Sequence, residues 1–222
     1  MEKSVRQVKL ISISKPYAPN LETAEDLIAY CARVSNPSNQ NNTETASKLL
    51  KYCIKNEHWS IFEMVHIVVE INTTRDIARQ ILRHRSFSFQ EFSQRYADAS
   101  QLGFTIREAR LQDQKNRQNS LEINDDDLQK TWKMKQEQLI HETKLTYTWA
   151  LDNGIAKEQA RAILPEGNTN SRLYMAGTLR SWIHYCQLRM DNGTQKEHRE
   201  IAKECWYILC DQFSFLKELD NA

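Results

Sequence analysis

Residues 64–95 read MVHIVVEINTTRDIARQILRHRSFSFQEFSQR. The period of the side chains changes partway along. Val65, Ile67, Val69 and Ile71 alternate on one side and are all β-branched, with Met64, His66, Val68 and Glu70 on the other. Period two with branched side chains predicts a strand over 64–71. From 75 to 83 the period is helical. At ~100° per residue, Arg75, Arg79, Arg83, Asp76 and Gln80 fall within an arc of roughly 140°, and Ile77, Ala78, Ile81 and Leu82 fall opposite. Thr73 and Thr74 stand where a helix cap belongs. A strand running straight into a one-faced helix calls for a sheet packed against helices, the α+β class.

The flanking sequence agrees. Residues 7–14 alternate like a first strand that Pro16 ends. Residues 22–34 and 43–56 read as amphipathic helices, with Leu27, Ala29, Tyr30 and Leu49, Leu50, Cys53, Ile54 as apolar faces. Ser60 and Glu63 have capping-box spacing. Residues 125–153 form one long helix, opened by three aspartates and closed by Asn153-Gly154. A shorter helix over 157–163 stops at Pro165, and another covers 178–190. Thr194 and Glu197 repeat the capping-box spacing before a last helix over 195–219, which buries Ile201, Cys205, Leu209, Phe213 and Leu216. The expectation is a small central sheet covered by helices, with a long helical excursion, in a single domain over 1–222.

Composition narrows the chemistry. Lys plus Arg is 30 and Asp plus Glu is 29, so the formal charge is +1. No global charge excess points to nucleic acid or to disorder. There are five glycines in 222 residues, roughly 2 % against a usual ~7 %. The closest two, Gly167 and Gly177, are ten apart. A dinucleotide fingerprint and a P-loop both need closer spacing, so phosphate must be held by side chains. Five cysteines without a C-x-x-C pair argue against a disulfide framework or zinc ribbon. No metal site is expected. The N-terminus lacks a signal-peptide core, and the longest apolar run, Leu27–Ala32, is six residues. A soluble cytoplasmic protein is expected.

Within 75–95 stand five arginines and two acids, +5 − 2 = +3, in a chain of +1. Arg83-His84-Arg85 lies where the helix ends, and basic residues there suit the helix dipole. Ser86-Phe87-Ser88-Phe89 then alternates, and Glu91, Ser93 and Arg95 follow at spacing two. In an extended segment those three point one way. An acid, a hydroxyl and an arginine beside a helix-end arginine pair suit a phosphorylated ligand, because the guanidinium fork donates two hydrogen bonds at once.

The string RHRSFSFQEFS at 83–93 has the form R-H-R, seven residues, S. It resembles the signature of the flavin-dependent thymidylate synthases. ARVS at 32–35, EHWSIFE at 57–63, ARQILRHR at 78–85, ARAILP at 160–165 and LRSWIHYCQLR at 179–189 are similar to family segments in the same order, so the resemblance spans about 9–210. It implies a homotetramer with active sites at subunit interfaces, each holding FAD, dUMP and methylenetetrahydrofolate. The implied reaction is reductive methylation of dUMP to dTMP, with NADPH reducing the flavin and no enzyme cysteine as nucleophile.

The resemblance also implies roles. Arg83, His84 and Arg85 look like the flavin-contacting triplet, with Arg83 also near the nucleotide. His58, Ser60, Glu91 and His184 look like further flavin contacts. Gln80, Glu91, Ser93, Gln94 and Arg95 look like dUMP contacts, and Arg161 resembles an arginine reaching dUMP from a neighbouring subunit. Arg189 resembles the arginine at the uracil edge, where positive charge would stabilise negative charge developing on the pyrimidine. The chain departs from the family pattern at Thr178 and His184, where many members carry asparagine, and at Gln94, where many carry glycine.

Other features read more simply. No H-x-x-x-H pair has a nearby acid, which argues against a zinc hydrolase. His66 is a packed or surface residue, and His141 and His198 are read as solvated helix positions. The 107–117 stretch, with Arg107, Arg110, Lys115 and Arg117, is read as a polar loop that could attract anionic folate or NADPH. Trp132, Tyr147 and Trp149 are assigned to core or a subunit interface. The rival from another class is a nucleic-acid-binding protein using the arginine-rich helix 75–85, and a third is a degenerate family member kept as an interaction protein.

Overall fold

The computed structural model describes residues 7–217. A first strand, β1 (Val8–Ile13), precedes two helices, α1 (Ala24–Ala32) and α2 (Ala46–Lys55), each close to its predicted bounds. A 3-10 turn over Trp59–Met64 leads into β2 (His66–Thr74), and α3 (Arg75–Ile81) follows with no intervening loop. Then come β3 (Ser88–Glu91), a small hairpin of β4 (Arg110–Gln112) and β5 (Ser120–Glu122), and α4 (Asp126–Asp152). The chain continues through α5 (Lys157–Ala160), β6 (Asn170–Thr178), α6 (Leu179–Arg189) and α7 (Lys196–Gln212).

The main sheet is antiparallel, in the order β1-β2-β6-β3. Its register brings the apolar sides of β2 and β6 together: Ile67 faces Gly177, Val69 faces Met175 and Ile71 faces Leu173. These side chains are buried beneath α3, α6 and α7. Each large one contributes about 1.5–3 kcal/mol by leaving water. On the other face Tyr174 donates its hydroxyl to Glu70, 3.0 Å away. The excursion is α4, whose 27 residues span about 40 Å. Asp125 caps it, accepting from the amides of Asp127 and Leu128, and Gly154 leaves it at φ 76°, where a side chain would be strained.

Both long strands run directly into helices, and this positions the site. Because β2 and β6 are antiparallel, α3 leaves one end of the sheet and α6 the other. Their C-terminal ends meet where Arg189 bonds His84. The two junctions are capped differently. Thr178 caps α6 by accepting from the Ser181 amide at 3.3 Å. Thr74 holds the same position before α3, but its hydroxyl turns to Asp76 and Arg107. The amides of Arg75 and Asp76 donate instead to the carbonyls of Thr169 and Glu166.

Four local expectations give way to longer-range contacts. Ser60 caps nothing, and Glu63 pairs with Arg180 at 3.0 Å. The Thr194–Glu197 box is absent because α7 begins at Lys196 and Glu197 serves two arginines. The last helix stops at Gln212, and a 3-10 turn over Ser214–Leu216 folds Phe215 and Leu216 into the core. The expected continuation to 219 ends outside the described residues. His198, read as solvated, is fully buried.

Candidate active site

The signature loop is held from beneath by aromatic packing. Phe87 lies at 4.8 Å ring to ring from Trp182 and 5.9 Å from Tyr185, and His84 at 4.9 Å from Tyr185. Gly177 of β6 makes room for Phe87: a Cβ there would stand 2.5 Å from the ring. This anchor keeps His84 half-buried while Arg83 and Arg85 extend outward.

Arg189, at the last turn of α6, donates its Nε–H to Nε2 of His84 at 2.9 Å. His84 is thereby neutral with its proton on Nδ1. Burial, and then the charges of Arg189 and Arg83, push its pKa down to about 4. Arg189 has no carboxylate partner among the described residues, and its terminal nitrogens donate to no other protein group. Arg83 and Arg85 make no hydrogen bond or ion pair among the described residues. The loop and the end of α6 therefore present three guanidinium groups with unspent donors.

Behind this pair lies a polar chain with no counterpart in the expectations. Tyr185 and Nε2 of His198 are 3.1 Å apart, and Nδ1 of His198 is 3.2 Å from Oε1 of Gln80. Gln80 donates to Gln195 at 2.8 Å, and Gln195 to Glu197 at 3.0 Å. Glu197 accepts from Arg107 at 2.9 Å and Arg110 at 2.5 Å. Burial, and then the charges of Arg189 and His84, push the His198 pKa down to about 3. The sequence does hold a signal for this burial. His198 lies three residues before Ile201 and seven before Cys205, on the buried stripe of α7. Arg107 and Arg110, read as part of a polar loop, stand at the hairpin end of this network, and Arg107 also bonds Asp76 at 2.9 Å.

A second group gathers on the 3-10 turn and the outer face of α6. His184 packs on Trp59 with ring centroids 4.4 Å apart, Ser60 follows Trp59, and His58 is edge-on to Tyr52 at 6.1 Å. His58, Ser60 and His184 are exposed. Burial and the neighbouring Arg180 lower the His184 pKa. His184 and Arg189 lie five residues apart on one helix, about 7.5 Å of rise. The two groups offer different contacts to a ring-bearing, anionic molecule such as FAD: Arg83 and Arg85 offer forked donors at the signature loop, and His58, Ser60 and His184 offer polar contacts beside an aromatic face.

The remaining residues sit apart from these two groups. Glu91 accepts from Ser171 at 2.6 Å and Arg75 at 3.3 Å, leaving one oxygen uncommitted. Strand β3 ends at Glu91, and Ser93 opens a turn, so Glu91, Ser93 and Arg95 do not share one extended face. The Ser93 hydroxyl accepts from the Arg95 amide at 3.4 Å, and Arg95 pairs with Glu158 at 3.3 Å. Gln94 is buried, with no partner for its Nε2. Arg161 follows α5 and opens a 3-10 turn, and its side chain makes no hydrogen bond or ion pair among the described residues. Thr178 serves as a helix cap. The basic face proposed for nucleic acid is already committed in part: Arg75 pairs with Glu91 and Arg79 with Glu166.

Comparison with known proteins agrees with the signature. A family model described as thymidylate synthase complementing protein matches residues 19–213. A probable flavin-dependent thymidylate synthase of Paramecium bursaria Chlorella virus 1 is 54 % identical over 213 residues, covering 96 % of this chain and 98 % of that protein. A flavin-dependent thymidylate synthase of Synechocystis is 54 % identical over 209 residues, covering 93 % and 95 %. The fold matches the crystal structure of a UMP/dUMP methylase, PolB, from Streptomyces cacaoi bound with 5-Br dUMP, with a TM-score of 0.76 at 24 % identity, over 95 % of this chain and 92 % of that one. With matches along nearly its whole length and the R-H-R loop held against Arg189, this chain belongs to the flavin-dependent thymidylate synthase family.

Proposed function

We propose that the chain converts dUMP, methylenetetrahydrofolate, NADPH and a proton into dTMP, tetrahydrofolate and NADP⁺. The folate supplies the carbon, and FAD, when bound, passes reducing equivalents from NADPH. The relatives' names support the flavin dependence. One observation carries the reading: Arg189 is held rigidly by a neutral histidine while its charge stays unpaired. Beside a bound uracil, that charge would stabilise electron density building on the ring as C5 attacks the one-carbon unit. Two buried cysteines in α6 and α7 are unsuited to substrate activation. The Cys186 thiol is buried and pushed well above its ordinary pKa, and Cys205 is pushed up as well, so neither is a thiolate near neutral pH.

In this reading Arg83, His84, Arg85, His58, Ser60, Glu91 and His184 hold the flavin. Gln80, Arg83, Glu91, Ser93, Gln94, Arg95, Arg161 and Arg189 hold dUMP. The orphaned Nε2 of Gln94 has a hydrogen bond still to make. One domain spans the chain, four copies assemble with sites at their interfaces, and Arg161 reaches a neighbour's nucleotide. The protein acts in the cytoplasm; among the described residues no helix is long and apolar enough to cross a membrane.

Mass spectrometry of the complete mixture tests the activity. dTMP is expected only when dUMP, methylenetetrahydrofolate, NADPH and FAD are all present. A full mixture that leaves dUMP unchanged, or a purified protein that takes up no flavin, overturns the proposal.

A further inference from the structure

The buried chain from Tyr185 to Glu197 has a fixed direction. At its inner end Tyr185 is buried, and its hydroxyl has His198 as its one hydrogen-bond partner among the described residues. A hydroxyl proton given to Nε2 leaves a neutral imidazole with its own proton on Nδ1. That proton points at Gln80, so the amide must turn its oxygen inward. At the outer end Glu197 is a carboxylate held by Arg107 and Arg110, and it can only accept. Gln195 must therefore turn its NH₂ to Glu197 and its oxygen to Gln80, which must answer with its own NH₂. Both ends impose the same orientation on Gln80.

We infer that His198 is a positioning residue for the thymidylate synthase site, locking the Gln80 amide so that its remaining N–H recognises a hydrogen-bond acceptor, a carbonyl or phosphate oxygen, of the pyrimidine nucleotide. Gln80 lies in the last turn of α3, three residues before Arg83 of the signature loop. Its Nε2 gives one hydrogen to Gln195 and keeps the other. A glutamine held at its NH₂ alone keeps more freedom and must be ordered further at each binding event. The inference rests on the reading that Gln80 contacts dUMP.

Two substitutions divide the histidine's two bonds. Asparagine places an amide nitrogen near the Nδ1 position and can still donate to Gln80, but it leaves Tyr185 unanswered. Glutamine places an oxygen near Nε2 and can still accept from Tyr185, but it leaves the Gln80 oxygen without its donor, so that Gln195 alone orients the amide. His198→Gln is expected to raise the dUMP KM about tenfold with kcat and flavin content little changed. His198→Asn is expected to restore KM to within about twofold of the parent. Equal KM values for the two variants overturn the inference. Gln80→Leu is the control on the underlying reading: an unchanged dUMP KM there removes Gln80 from the substrate site, whatever His198 does. Histidine-selective ¹⁵N NMR of the unmodified protein decides the case independently of how the variants fold. His198 should carry its proton on Nδ1, and a proton on Nε2 refutes the chain's direction.

Discussion

Arg189 donates to Nε2 of His84 across 2.9 Å, and this bond joins the last turn of α6 to the loop that follows α3. The donor is Nε, which leaves both terminal nitrogens of the guanidinium for a ligand. The bond aims a cation without neutralising it. Arg189→Ala should lower kcat by about 10²–10³-fold, the usual cost of removing an oxyanion-stabilising donor, while the flavin spectrum persists. Arg189→Lys keeps the charge but loses the fork and the bond to His84, so it should fall between. Steady-state rates with dUMP beside visible spectra check this. Near-parental turnover in the alanine variant would remove Arg189 from the chemistry.

The pKa values of His84 and His198 fall to about 4 and about 3. An unfolded histidine titrates near 6.5. Between these values the unfolded chain binds protons that the folded chain refuses, so stability falls as pH drops below about 6.5 and rises again toward neutrality. Thermal melts from pH 7.5 to 5 should show this decline above the range where carboxylates titrate. His198→Gln, which removes one of the two groups, should show a shallower slope. Melts that do not change between pH 7 and 5 would contradict the burial of both rings.

How far these features could be read in the sequence depended on distance along the chain. The β-branched alternation at 65–71 and the apolar arc of Ile77, Ala78 and Ile81 were legible because strand and helix periods are local. The signature and Arg189 were legible as a motif. What the motif rests on was not. Glu63 and Glu197 had the spacing of helix caps, yet each is claimed by an arginine far away in sequence, Arg180 or the Arg107–Arg110 pair. A partner 87 or more residues away leaves no periodic trace. His198 is the intermediate case: its place on the buried stripe was legible, but the hydrogen bonds that let an imidazole stay there were not.

Gly177 is a steric prediction. Phe87 is confined by Trp182, Tyr185 and His84 and cannot swing away from an added Cβ. Gly177→Ala should destabilise by about 1–3 kcal/mol through overpacking and weaken flavin binding by shifting the signature loop. Adding Phe87→Leu should recover part of the melting temperature, because residues in contact couple. Calorimetry of the two single variants and the double variant measures that coupling. Strict additivity would show that the ring and the glycine do not meet.

Glu197 tests the ionic end of the network. Its removal takes from Arg107 and Arg110, at 16 % and 12 % side-chain exposure, the carboxylate they share and leaves each with one partner, Asp76 or Glu108. A fully buried pair broken this way costs about 3–5 kcal/mol, and partial exposure brings the expectation for Glu197→Ala to about 2–3 kcal/mol. At about 2–4 °C per kcal/mol for a chain of this size, melting should fall by roughly 4–12 °C. A loss under 2 °C would mean that solvent already screens the cluster.

The outer surface of α4 bears on assembly. Leu128, Trp132 and Leu139 fall within about 40° of arc on that helix, and Leu145 and Trp149 lie one turn apart on an adjacent stripe. All five are exposed, Trp149 at 60 %. Aromatic and leucine side chains grouped this way on a 27-residue helix have little reason to face water and every reason to meet another copy. If four copies assemble as proposed, Trp149→Glu with Leu145→Glu should shift sedimentation from the tetramer to a smaller species. If sites are shared between subunits, turnover should fall with the change in size, while the far-ultraviolet dichroism of the chain stays constant. A tetramer that survives both charges would move the interface elsewhere, to the half-exposed outer face of the sheet around Tyr174 and Glu70.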